Sequence, residues 1–328
     1  RLLFIQNFFL PIGSLSFWIC SSAAWASERK YSLTNGGIMI PRRGSTERAT
    51  LVSHLQEQAM FSRKETVRLS RIAGAGHYAS SFSASELFAS LYFAELRIDP
   101  QNPKWGERDR FVLSKGHAAI GLYPILGRLG YFDEKLLDEF TKFGNPFGDH
   151  PDMKKIPGVD FSSGSLGHGL SIAAGIALSG RISGSDHKTW CMLGDGELCE
   201  GQIWEAAMFA GHHKLGNLVA IVDNNQLCID GFVKDVMNVE PIDERFASFG
   251  WVTRTIDGHD LDEILDTMSD LPRSANGAPH LIVAKTIKGR GVKRMELSTH
   301  WHVGNLVGQD YEDVMTELSE GLNSGTER

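Results

Sequence analysis

From residue 45 to about residue 310, short apolar runs that close on glycine or polar turns alternate with helical stripes. Trp190–Leu193 reads as a buried strand ending at Gly194-Asp195-Gly196. A helical pattern follows from near Glu200, with Ile203, Trp204, Ala207, Met208 and Gly211 on one stripe, and it stops at Leu215-Gly216-Asn217. A second strand, Leu218–Val222, delivers Asp223-Asn224-Asn225. This is a βαβ unit, and its right-handed crossover predicts parallel strands. Asp195 and Asn225 then emerge at the carboxyl edge of the sheet, where open α/β sheets bind ligands. One carboxylate, one amide oxygen and a loop carbonyl make a hard-oxygen site of the kind Mg²⁺ shares with phosphates.

The flanking pattern extends the same architecture. A helix is predicted over 45–72, with Leu51, Val52, Leu55, Ala59, Val67 and Leu69 on its apolar face, ending at Ala73-Gly74-Ala75-Gly76-His77. Ser83-Ala84-Ser85-Glu86 has the form of a capping box before Leu87, Phe88, Leu91 and Tyr92. Arg110–Ser114 reads as a strand, Ala118–Leu129 and Asp133–Phe143 as helices, and Leu170–Arg181 as a Gly/Ala-rich helix opened by Ser162–Gly169. Small residues there permit close backbone approach, and amides at a helix start suit an anion. Asp260 and Glu263 cap a further helix, His280–Ile287 is another strand, and Lys288-Gly289-Arg290-Gly291 is a cationic glycine loop. The last fifteen residues are polar and are expected to fray. Histidines recur in loops: His77, His117 after Lys115-Gly116, His150 after Gly148-Asp149, and His300 and His302 around Trp301. Each alone is an ordinary solvated loop residue. The whole predicts one doubly wound, mostly parallel α/β domain over 45–310, with a polar tail from 311 to 328.

Composition narrows the function. The 328 residues include 35 Gly, many of them in ligand-loop patterns, and 42% are hydrophobic, enough for a sizeable core. A net charge of −7 without a basic block argues against nucleic acid. Four cysteines occur (Cys20, Cys191, Cys199 and Cys228) without a CxxC pair, which suggests neither zinc nor a disulfide framework and fits a reducing cytosol. Residues 1–40 are set apart. Leu2–Ala26 is apolar and ends in Ala24-Trp25-Ala26, like a signal cleavage site, but Gln6, Asn7 and Pro11 interrupt it. An upstream extension with Met39 as the start fits better than a signal peptide, and a membrane span fits least.

GDG at 194–196, with Asn224-Asn225 placing Asn225 30 positions after Asp195, resembles the thiamine-diphosphate motif. With GHYASSFSASELFASLYF, RFVLSKGH, SSGSLGHG, FGW…DGHD and KTIKGRGV…WH in the same order, the chain resembles the N-terminal, diphosphate-binding half of transketolase over residues 65–310. It is most similar to the split form, in which the two halves are separate chains. The resemblance implies that Asp195, Asn225 and the Leu227 carbonyl hold Mg²⁺, or Ca²⁺ or Mn²⁺ in its place. It also puts Gly194, Gly196, Ser165, Leu166 and Gly167 around thiamine diphosphate. His77, His117, His150 and His302 match the family's active-site histidines, His117 and His302 also touching the cofactor; His302 is preferred to His300 because it directly follows Trp301. Glu200 and Glu205 match acidic residues that link the two cofactor sites of a dimer.

The implied activity is transfer of a two-carbon ketol unit from a ketose phosphate to an aldose phosphate, as in the pentose phosphate pathway. The cofactor supplies the carbanion and electron sink, and the histidines exchange protons with sugar hydroxyls. A pyrimidine-binding partner chain is expected, in an α₂β₂ assembly, with the chain inactive alone. The alternatives are a 2-oxo acid dehydrogenase α chain, which has less use for a hydroxyl-facing histidine set, and a non-catalytic cofactor-binding subunit. Tyr78 stands where Pro is common, Asp149-His150-Pro151-Asp152 replaces GHPE, and His168 replaces Gln. These departures bear on sugar specificity rather than on the cofactor.

Overall fold

A computed structural model of the chain describes residues 46–323. The readings of residues 1–40, including Cys20 and Met39, lie outside the described residues, as do the last residues of the tail. Among the described residues five strands form one sheet: β1 (Arg110–Leu113), β2 (Thr189–Gly194), β3 (Leu218–Asn224), β4 (Val252–Asp257) and β5 (His280–Lys285). Their order is β1-β2-β3-β5-β4, and every pair is parallel. This is the doubly wound α/β fold expected.

All seven residues of β3 are buried, because both faces of the strand are covered. Val219 and Ile221 point to one core with Leu55, Phe88, Tyr123 and Ile264, from the helices Thr46–Ala73, Ser85–Ser90, Ala119–Arg128 and Leu261–Ser269. Leu218, Ala220 and Val222 point to the other, with Ala173, Ile203, Ala207 and Phe246, from His168–Ser183, Gly201–His212 and Ile242–Ser248. The register pairs Gly194 with Asp223 and Asn224 with Lys285, which brings the strand exits to one edge. A slip by one residue would turn each strand's core side chains to the wrong face.

Three local expectations change. The Ser83–Glu86 capping box does not form: the Ser83 hydroxyl donates to Asp223 (2.7 Å), and Glu86 pairs with Arg63 and His259. The helix expected over 133–143 is a 3₁₀ turn, Glu134–Glu139, opened by Asp133 accepting from the Lys135 amide. The expected fraying tail is instead the helix Gln309–Asn323, whose Val314 and Leu318 are fully buried beside Val67, Tyr78, Phe82 and Met295. Among the described residues no helix is long and apolar enough to cross a membrane.

Candidate active site

The carboxyl ends of β1, β2, β3 and β5 deliver, in turn, Lys115 and His117, Asp195, Asn225, and Lys288. All of them border one cavity of about 300 Å³. His77, at the start of the helix Tyr78–Ser83, also lines it, and His150 and His302 reach it from loops.

Asp195 and Asn225 are both buried, and the fold fixes how each presents its oxygens. Asp195 accepts from the amides of Gly196 and Gln226, which ties the exit of β2 to the exit of β3. Asn225 donates its Nδ2 to Asp223 (3.1 Å), so Oδ1 turns the other way and accepts from the Leu227 amide (3.2 Å). Burial, and next the charge of Asp223, push the Asp195 carboxyl up to about 7. Leu227, the third expected ligand, presents its carbonyl to Lys288 Nζ at 2.8 Å.

The histidines do come together. The ring of His77 lies 5.2 Å from that of His117, 5.4 Å from His302 and 6.4 Å from His150, and His117 lies 5.5 Å from His302. His300 does not join them and stacks edge-on against Trp301. Burial, with Lys115 next, holds the His117 imidazole far below its ordinary range. Burial and Lys288 lower His302 to about 3. Burial and Lys115 in turn lower Lys288 to about 8. Both imidazoles are therefore held neutral near pH 7, a state that can hydrogen-bond a hydroxyl.

The expected anion-binding amides are already engaged. Gly167 N and Gly194 N donate to the two oxygens of buried Glu197 (2.8 and 3.0 Å), and Gly169 N donates to Ser114 Oγ (3.1 Å). Ser114 Oγ itself donates to Glu197. Gly169 is needed for this approach, since a Cβ there would lie 2.3 Å from the Ser114 side chain. Gly167, at φ +86°, would meet Glu200 at 2.7 Å. Gly164 and Leu166 line the cavity, whereas Ser165 is exposed. Glu200 and Glu205 are also exposed and do not line it.

At the floor Lys115 forms a buried ion pair with Asp223. The lysine also donates to Ser80 O (2.8 Å), and Ser83 and Thr286 donate to the aspartate. Sequence reasoning passed over Glu197, Asp223 and the individual roles of Lys115 and Lys288. The available signal was a charge at the end of an apolar strand, which has to find a partner.

Residues 60–323 match the family described as transketolase, thiamine diphosphate binding domain. The chain belongs to the transketolase family. It is 41% identical over 266 residues to a 6-deoxy-6-sulfo-D-fructose transketolase subunit from Clostridium sp., covering 81% of this chain and 96% of that one. It is 38% identical to an apulose-4-phosphate transketolase subunit from Phocaeicola vulgatus, covering 83% and 96%. Against the mouse transketolase, 37% identical, it covers 82% of this chain but 43% of the relative. A crystal structure of a transketolase variant from Pichia stipitis superposes with a TM-score of 0.76 at 30% identity, over 81% of this chain and 41% of that one. The chain thus spans nearly all of the relatives named as subunits and less than half of the longer transketolases.

Proposed function

We propose that this chain is the diphosphate-binding subunit of a two-chain transketolase that moves a two-carbon ketol unit from a ketose to an aldose. The observation that carries this reading is a cavity lined both by oxygen ligands of a metal-binding type, Asp195 and Asn225, and by closely spaced histidines, His77, His117 and His302.

The residues fit thiamine diphosphate and a divalent cation. Asp195 is a buried carboxylate whose charge a cation would stabilise, and Asn225 Oδ1 is held in an orientation that allows it to ligate. The Leu227 carbonyl would complete the set with its second lone pair, and the ammonium of Lys288 stands beside it for phosphate. Mg²⁺ is the cation proposed. When bound, the cofactor supplies a carbanion centre and an electron sink. The chain's own part is to seat the diphosphate end and to keep neutral imidazoles at the substrate. His117 and His302 are positioned to move hydroxyl protons, and His150 to meet the sugar at the half-exposed rim.

Two relatives whose length this chain covers to 96% are named as subunits, which supports a separate pyrimidine-binding partner. Both are named for sugars with an anionic group, so sulfonated or phosphorylated ketoses are the substrates to try first. Exposed Glu200 and Glu205 remain the proposed links across the assembly.

The test is reconstitution of the full chain with a transketolase C-terminal chain, thiamine diphosphate and Mg²⁺. Ketol transfer should require both chains. His117→Ala should lower turnover by about 10²–10⁴-fold, the usual scale of general acid–base catalysis, with cofactor affinity little changed. Decarboxylation of a 2-oxo acid in place of ketol transfer would overturn the reading.

A further inference from the structure

We propose that Asp149 is a positioning residue that fixes His77 as a proton acceptor within the histidine cluster. The proposal rests on the reading above, in which this cluster handles hydroxyl protons. Asp149 is also one of the two positions at which Asp149-His150-Pro151-Asp152 departs from the family's GHPE.

His77 Nδ1 lies 3.2 Å from Asp149 Oδ1. An ionised carboxylate only accepts hydrogen bonds, so the proton of the neutral ring resides on Nδ1 and the lone pair on Nε2. Nε2 makes no hydrogen bond to any described residue, and the ring borders the cavity. His302 is set the opposite way. Its Nδ1 lies 2.9 Å from Lys288 Nζ, and an ammonium only donates, so the ring proton of His302 is on Nε2. One cavity therefore holds one ring whose free nitrogen accepts and another whose free nitrogen donates.

The contacts of Asp149 argue against a purely structural loop role. Among the described residues its carboxylate takes no backbone amide of the kind that defines an aspartate turn. Its second oxygen lies 3.5 Å from His150 Nδ1, so the side chain bridges two histidines. His77 otherwise faces His117, His302 and His150, with the cations Lys288 and Lys115 behind them. Among the described residues Asp149 is the one carboxylate within pairing distance of His77. Burial alone would raise the Asp149 carboxyl. The hydrogen bond from His77 outweighs it and holds the group below its usual range.

The experiment is a nitrogen-detected tautomer assignment of the histidines in the full chain by NMR, for the wild type, D149N and D149A. The wild type and D149N, which keeps an oxygen acceptor, should show His77 protonated at Nδ1. D149A should shift it toward the Nε2–H form. In the active two-chain assembly D149A should lower kcat about tenfold or more with KM unchanged, and D149N should restore most of that loss, a split that simple loop damage does not produce. A wild-type His77 protonated at Nε2, or a D149A spectrum with the same tautomer as wild type, would overturn the proposal without reference to activity. Absence of ketol transfer by the wild-type pair would instead overturn the proposed function, and the tautomer measurement would still decide the role of Asp149.

Discussion

Lys288 Nζ donates at once to His302 Nδ1, at 2.9 Å, and to the Leu227 carbonyl, at 2.8 Å. One buried ammonium thus joins the late histidine to the loop that follows β3. Replacing it by Met should release both. Affinity for Mg²⁺–thiamine diphosphate should fall by about tenfold or more, the scale of a lost charge-assisted bond to an anion. Calorimetric titration of K288M reads this directly, and unchanged affinity would remove Lys288 from the proposed phosphate site.

The same lysine sets a pH signature. Burial, then Lys288, lowers His302 to about 3, below the value of about 6.5 expected in the unfolded chain. Above about pH 6.5 both states are neutral there and nothing is lost. As pH falls from about 6.5 toward 3, the unfolded chain takes up a proton that the folded chain refuses, so this contribution to stability is progressively lost. Other groups titrate as well, so the comparison is differential. Between pH 7.5 and 5.5 the urea midpoint of wild type should drop by more than that of H302Q. An equal drop would contradict the half-buried, neutral His302.

Lys115 and Asp223 form an ion pair almost wholly removed from solvent, so removing one partner strands the other. K115M should destabilise the chain by about 3–5 kcal/mol in urea unfolding, because Asp223 is left as an uncompensated buried charge. The double variant K115M/D223L should recover much of that loss. A K115M chain as stable as wild type would mean that the pair contributes nothing to the floor of the site.

The strands were legible in the sequence because β2 and β3 are apolar runs closed by turn residues, and the parallel pairing followed from the helix between them. Asp195 and Asn225 were legible because each stands at a strand exit, positions that topology brings to one edge, whereas the histidines stood out only through the family resemblance. The long-range partners were not. Nothing local says that Ser83 turns to Asp223 rather than capping its helix, or that Glu86 answers Arg63 and His259. Tertiary pairing overrides the local motif there. The last helix is a different case: Tyr311, Val314, Met315 and Leu318 follow the i, i+3, i+4, i+7 stripe of an amphipathic helix, and polar composition obscured a signal that was present.

Asp195 sets function against stability most directly. Its carboxyl is buried, pushed up to about 7 by that burial and by Asp223, and held by two backbone amides rather than by a side-chain cation. A charge kept in that position costs free energy in the chain without ligands, and under the proposed function it serves only when a cation arrives. D195N keeps the size and one oxygen acceptor but removes the charge. In the absence of thiamine diphosphate and Mg²⁺ its melting temperature should equal or exceed that of wild type. With both present, the wild type should gain stability in proportion to ligand binding, whereas D195N should gain little, its cofactor affinity lowered by about a hundredfold or more. Thermal melts of the two proteins with and without ligands separate the outcomes. If D195N melts well below wild type without ligand, the carboxylate is mainly structural; if it is stabilised by the cofactor as much as wild type, Asp195 does not hold the metal.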